Sequence, residues 1–94
     1  MIGIQARVRT PAASKYLQQL CKHFRHKIQV EFTPTNGRAD FPFGVCTMVA
    51  ADGELHLVCN AADDGALAKV RHIVHDHLER FAWREKPEID WQPI

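Results

Sequence analysis

From Ala13 to Phe24 the apolar residues return at one spacing: Ala13, Tyr16, Leu17, Leu20, Cys21 and Phe24. This is the i, i+3, i+4, i+7, i+8, i+11 template of a helix with one buried face. At about 100° per residue the six side chains form a stripe roughly 100° wide. Lys15, Lys22 and Arg25 point away from it. A short helix of this kind is marginal in isolation and depends on tertiary packing of its apolar face. The rest of the chain must therefore supply an apolar surface. The pattern predicts a helix over about residues 11–27, with Thr10 as N-cap and Pro11 at the first helical position.

The surface it needs is written as alternation. Ile4, Ala6 and Val8 alternate with Gln5, Arg7 and Arg9, which predicts a half-buried strand over residues 3–9. Ile28, Val30 and Phe32 predict a second over 28–33. Thr33 to Gly37 then carries turn chemistry, with Asn36-Gly37 suited to a hairpin. A third strand runs from Arg38 to Phe43, where Pro42 argues for an edge or a bend and Gly44 for a turn or bulge. Val45–Ala51 and Glu54–Ala61 are joined by Asp52-Gly53, a tight hairpin. Cys46 shares strand parity with Met48 and Ala50, and Leu55, Leu57 and Cys59 share a face.

Asp63 and Asp64 favour the start of a second helix, about 64–83, with Leu67, Val70, Val74, Leu78 and Phe81 as its stripe. Lys86-Pro87 ends it, and Glu88 to Gln92 reads as a short last strand. The order is β-α-β-β-β-β-α-β. The expected fold is an α+β two-layer sandwich: a mostly antiparallel sheet of five or six strands, with both helices on one face.

Ninety-four residues correspond to a single domain over residues 1–94. No stretch approaches the ~20 apolar residues of a membrane span, and the opening MIGIQARVRT lacks the pattern of a secretory signal. Cys21, Cys46 and Cys59 show no C-x-x-C spacing and read as free thiols in a reducing, cytoplasmic setting. The net charge of +1 is uneven, because residues 1–30 hold six Lys/Arg and no acid. Lys15, Lys22 and Arg25 on the outer face of the first helix form a candidate basic patch for a nucleic acid or another polyanion. Single-strand binders place aromatic rings among such charges, whereas the rings here fall mainly on apolar faces, so nucleic acid is the weaker reading.

Three segments, KYLQQLCKHFRHK (Lys15–Lys27), FPFGVC (Phe41–Cys46) and HLERFAWRE (His77–Glu85), resemble the bacterial domain-of-unknown-function family 2218 in residues and spacing. The resemblance covers nearly the whole chain. Members of that family occur alone, and a similar domain occurs fused to siderophore-interacting flavoproteins, which release iron from ferric siderophores. The resemblance thus implies a link to iron or siderophore handling, with a separate siderophore-interacting flavoprotein or a small anionic ligand as partner. It brings no catalytic residues, and with no flavin-binding domain in this chain it implies no reductase activity.

Nine cysteines and histidines supply donors suited to iron or zinc. Cys21 and His23, two apart on a helix, lie about 160° apart around its axis and cannot easily grip one ion. His75 and His77 meet the same obstacle; His23 and His26 do not. No C-x-x-C or H-E-x-x-H is present. A site assembled between elements is the better version, with His23 or Cys21 meeting Cys46 and His77 where the layers join. The competing reading makes the cysteines small core residues and the histidines boundary residues. A thiolate nucleophile at Cys21 or Cys46 would need a histidine base, and no oxyanion-hole motif accompanies it. The expected function is a non-enzymatic accessory or binding domain, monomeric or homodimeric. A polyanion binder and a thiol- or metal-dependent enzyme are the alternatives. Phe41 and Phe43 either form a partner surface or fill one end of the core.

Overall fold

The computed structural model describes residues 1–94. The elements are β1 (Ile2–Arg9), α1 (Ala13–Phe24), β2 (Gln29–Phe32), β3 (Asn36–Phe41), β4 (Gly44–Ala51), β5 (Glu54–Ala61), α2 (Asp64–Phe81) and β6 (Trp91–Pro93). The six strands form one sheet in the order β2-β3-β4-β5-β1-β6, antiparallel throughout. Both helices cover the same face, α1 over β2 to β5 and α2 over β4, β5 and β1. This is the expected α+β two-layer sandwich, with six strands.

Strand alternation produces the shared face. In register, Ala6, Leu57, Met48 and Gly37 line up across four strands, and Ile4, Cys59, Cys46 and Ala39 form the next row. The helical stripes close on these rows. All six stripe residues of α1 are buried, as are Leu67, Val70, Val74 and Leu78 of α2. Each fully buried leucine contributes about 1.5–3 kcal/mol relative to exposure, and Leu17, Leu20, Leu55, Leu57 and Leu78 are all in that class. The other sheet face carries Arg7, Arg38 and Val49 and is open to solvent. No helix is long and apolar enough to cross a membrane.

Several boundaries differ from the sequence expectation, each for a local reason. Helix α1 begins at Ala13, and Ala12 takes the cap position without a side-chain bond. The Thr10 hydroxyl instead accepts from the Ala12 amide at 3.1 Å and donates to Glu85 Oε1 at 2.8 Å. The helix stops at Phe24, whose carbonyl accepts from the amides of both Lys27 and Ile28. The β2–β3 turn lies ahead of Asn36-Gly37: the Thr33 amide donates to the Asn36 carbonyl at 2.7 Å, and the Thr33 hydroxyl accepts from the Asn36 amide. Gly37 is needed for a close approach, since a Cβ there would lie 2.8 Å from Cys21 Sγ. Gly44 likewise begins β4 and turns nothing; the β3–β4 turn is Pro42-Phe43. Asp52 and Gly53, at φ 52° and 72°, form the expected hairpin. Asp63 caps α2 by accepting from the Ala66 amide at 2.8 Å. The last strand is later and shorter than expected, and only Trp91 to Pro93 pair with β1.

One polar contact ties the ends of the two helices together. Glu85 Oε1 accepts from the Thr10 hydroxyl and from the Tyr16 hydroxyl, both at 2.8 Å. Burial, then the hydrogen bond and charge of Glu85, holds the Tyr16 phenol above its ordinary range. Glu85→Ala leaves the hydroxyl of a 6 % exposed tyrosine without its acceptor. We expect it to cost about 1–3 kcal/mol by chemical denaturation, with Tyr16→Phe/Glu85→Ala recovering part of that loss. A neutral Glu85→Ala would show that water replaces the carboxylate.

Candidate functional site

The sharp stop at Phe24 turns the chain away from α1 and leaves His23, His26 and Lys27 around the mouth of a cleft. Helix α2 brings Ile73 and His77, one turn apart, to the same cleft. The floor and third wall come from Phe41, Pro42 and Phe43, at the tight turn that ends β3. The space they enclose is about 410 Å3, within the range typical of small-molecule sites.

Aromatic rings form most of its walls. Phe24 meets Phe41 edge-on at 5.3 Å between centroids, and Phe41 stacks on Phe43 at 5.8 Å and 24°. The rings of His23 and His77 lie 4.6 Å apart. Each also meets Phe24 edge-on, at 5.8 and 5.2 Å. Phe81 contributes a further edge contact to His23 at 5.9 Å. Such pairs favour fixed ring positions over a loosely filled groove.

The proton positions on His77 follow from its partner. Its Nδ1 lies 2.7 Å from the Ile73 carbonyl oxygen. A carbonyl oxygen only accepts, so Nδ1 carries the hydrogen, and in the neutral ring Nε2 is left as an acceptor. His23 is held below the ordinary histidine range, first by desolvation and then by the positive fields of His77, His26, Lys27 and Arg80. Both effects favour a neutral imidazole facing the cleft. No carboxylate, hydroxyl or thiol lines it, whereas Lys27 and His26 stand exposed at its edge.

The four residues nominated as joint ligands separate into two groups. His23 and His77 meet, as the interelement reading expected. Cys21 and Cys46 are elsewhere, fully buried between helices and sheet. Cys21 Sγ lies 3.9 Å from Met48 Sδ, and burial pushes its thiol up to about 11. Cys46 sits opposite Cys59 across β4 and β5. The thiol contact with Cys59, then burial and the charges of Cys59 and Cys21, raise it well above the ordinary range. Reactive cysteines are shifted the other way, so these thiols have the character of core residues.

No three His, Cys, Asp or Glu side chains group so as to hold a metal ion. Zinc sites use three or four protein ligands, and two imidazoles without a carboxylate or thiol do not fit a resident iron or zinc. The basic residues Lys15, Lys22 and Arg25 are all exposed on α1, outside the cleft. Arg25 lies over the Phe32 ring at 5.9 Å. Sequence reasoning missed Lys27, Ile73 and the role of Phe41 to Phe43 as a cleft wall. The His23/His26 spacing was the signal within reach; the wall depends on where the β3–β4 turn lands.

The NMR structure of PA4090 from Pseudomonas aeruginosa is similar to this fold. It shares 39% identity at a TM-score of 0.83, over 98% of this chain and 96% of that one. No curated protein matches the chain. The family model described as "uncharacterized protein conserved in bacteria" matches residues 5–92. The chain therefore belongs to that bacterial family, the domain-of-unknown-function family 2218.

Proposed function

We propose that this protein is a non-enzymatic small-ligand-binding domain and that its ligand occupies the cleft beside the His23–His77 pair. The observation that carries the reading is the pairing of two imidazoles, 4.6 Å apart, at an aromatic-walled space of about 410 Å3. Concave, mostly apolar sites with a few directed polar groups are the usual form of small-molecule sites. The cleft lining offers no hydroxyl or thiol nucleophile and no carboxylate base, which favours binding over the thiol- or metal-dependent alternative. The cellular setting we propose is the cytoplasm, in iron or siderophore handling, beside a separate flavoprotein. That setting rests on the family resemblance, and the basic edge at His26 and Lys27 suits the anionic character such a ligand would have.

The test is NMR of isotopically labelled protein against a panel of small aromatic acids, nucleotides and gallium(III) catecholate and citrate complexes. Gallium stands in for ferric iron to keep lines narrow. At least one member is expected to shift the imidazole signals of His23 and His77 and the Ile73 methyl signals. Ile73→Trp, which fills the cleft, is expected to abolish those shifts. A panel that leaves these signals unmoved overturns the reading. Shifts centred on Lys15, Lys22 and Arg25 would instead support the polyanion alternative, which the exposure of that patch favours.

A further inference from the structure

Resting on the cleft as a binding site, we infer its ligand class: a planar aromatic carboxylate that also carries a phenolic hydroxyl, bound with the hydroxyl inward at His77 and the carboxylate outward at Lys27. Three independent features of the cleft select these three parts of the ligand.

The walls select the ring. Phe41 and Phe43 are near-parallel, at 24°, while Phe24 presents its edge to Phe41 at 71°. A flat ring entering this space meets both faces and edges of aromatic neighbours, the two arrangements that their quadrupoles favour. A saturated ring of the same size gains only its transfer from water.

His77 selects the hydroxyl. Its Nδ1 hydrogen is committed to the Ile73 carbonyl, so in the neutral ring Nε2 is the nitrogen left to accept. His23, His26 and Lys27 are the cleft side chains able to donate, and none of them forms a hydrogen bond to His77. An acceptor closed off from water by an apolar ligand loses its solvation without replacement. A ligand that donates a hydrogen bond there avoids that loss, and one that only accepts does not. A phenol combines that donor with the ring the walls require.

Lys27 and His26 select the carboxylate. Both are exposed at the edge of the cleft, and no Asp or Glu lines it to offset them. A charged group at this position keeps part of its hydration while gaining the field of Lys27. The apolar interior at Ile73 and Phe24 would strip that hydration away. The polarity of the cleft thus orients the ligand: donor within, anion at the mouth.

The probes are 4-hydroxybenzoate, benzoate, 4-hydroxybenzamide and cyclohexanecarboxylate, titrated against the intact protein by NMR with the cleft signals as readout. 4-Hydroxybenzoate is expected to bind about tenfold more tightly than benzoate, which leaves His77 without a donor. It is expected to bind several-fold more tightly than the neutral amide, with that margin shrinking in 0.5 M salt as an exposed charge contact does. Cyclohexanecarboxylate is expected to be weakest. His77→Phe keeps an aromatic ring and removes the acceptor, so benzoate should then equal or exceed 4-hydroxybenzoate. Lys27→Gln should remove most of the preference for the acid over the amide and leave the hydroxyl preference intact.

Equal affinities for 4-hydroxybenzoate and benzoate in the native protein would overturn the role of His77, even should His77→Phe fail to fold. Equal affinities for acid and amide would overturn the anion assignment. Cleft shifts with other ligands but none with these four would overturn the ligand class and leave the binding site standing. An absence of cleft shifts with any ligand would overturn the site itself.

Discussion

Gly44→Val is expected to lower the unfolding free energy by about 3 kcal/mol or more, the upper range for overpacking a close-packed interior. A Cβ at this position would lie 2.7 Å from the Asn60 carbonyl oxygen, 2.7 Å from Val70 Cγ2 and 3.1 Å from Ala61 Cβ. The first is backbone of the neighbouring strand and cannot swing aside. The second belongs to α2, so relief requires the helix to lift from the sheet. A domain of this size has a total stability of about 5–14 kcal/mol, and each kcal/mol shifts Tm by about 4–8 °C. Thermal unfolding should therefore fall by more than about 12 °C. Gly53→Asn is the matching control. Gly53 has φ 72° and nothing within 4 Å of its Cβ position, and asparagine tolerates the left-handed region. It should change stability by no more than about 1 kcal/mol. A Gly44→Val protein as stable as the native one would show that α2 is not seated as closely on β4 as the structure has it.

The same glycine marks the limit of what the sequence discloses. Strand and helix faces were legible because side-chain periods of 2 and 3.6 are local properties. The six stripe residues of α1 are the six that are buried, and the parity that placed Cys46 with Met48 and Ala50 holds in β4. Asp52-Gly53 was legible because two consecutive left-handed residues leave few alternatives to a tight hairpin. Gly37 and Gly44 were not. In sequence each looks like a turn residue, yet each is small because a helix presses on the sheet there. That constraint comes from the partner across the layer and has no local signature.

The site divides in the same way. Helical geometry ruled out joint ligation by Cys21 and His23, and His23 does turn to the other helix, where it meets His77. Cys21 and Cys46 share the layer boundary that the sequence suggested, but they face the middle of the sheet and not its end. Stripe position gives the direction of a side chain around the helix axis. It does not give the depth along the sandwich at which two elements cross. The cleft exists because α1 stops at Phe24, three residues before the expected end, and frees His26 and Lys27 to rim it. A helix continuing to residue 27 would carry them around its axis and change which of them faced α2.

The buried thiols make stability fall steeply in alkali. Cys21 is raised from 9.0 to about 11 by burial. Cys46 is raised well beyond its ordinary value by its contact with the Cys59 thiol and by burial. Tyr16 is raised by burial and by Glu85. In the unfolded chain these groups ionise at their ordinary values, so near pH 10 the unfolded state has released thiol protons that the native state keeps. It binds fewer protons, and the unfolding free energy must decrease as pH rises. The stabilisation is complete below pH 9.0 and is lost as pH climbs through about 11. For Cys21 alone the loss is about 2–3 kcal/mol, and Cys46 adds to it. The acid side has the opposite slope, because His23 and His56 are both lowered, chiefly by desolvation. There the unfolded state takes up protons first as pH falls below 6.5. Urea unfolding at half-unit steps from pH 5 to 11 should give a plateau between about pH 7 and 8.5 with a steep alkaline limb. Cys21→Ala lowers the plateau by leaving a small cavity, but its alkaline limb should be shallower by up to one proton. A limb of unchanged slope in Cys21→Ala would remove Cys21 from the alkaline transition and leave Cys46 and Tyr16 as its source.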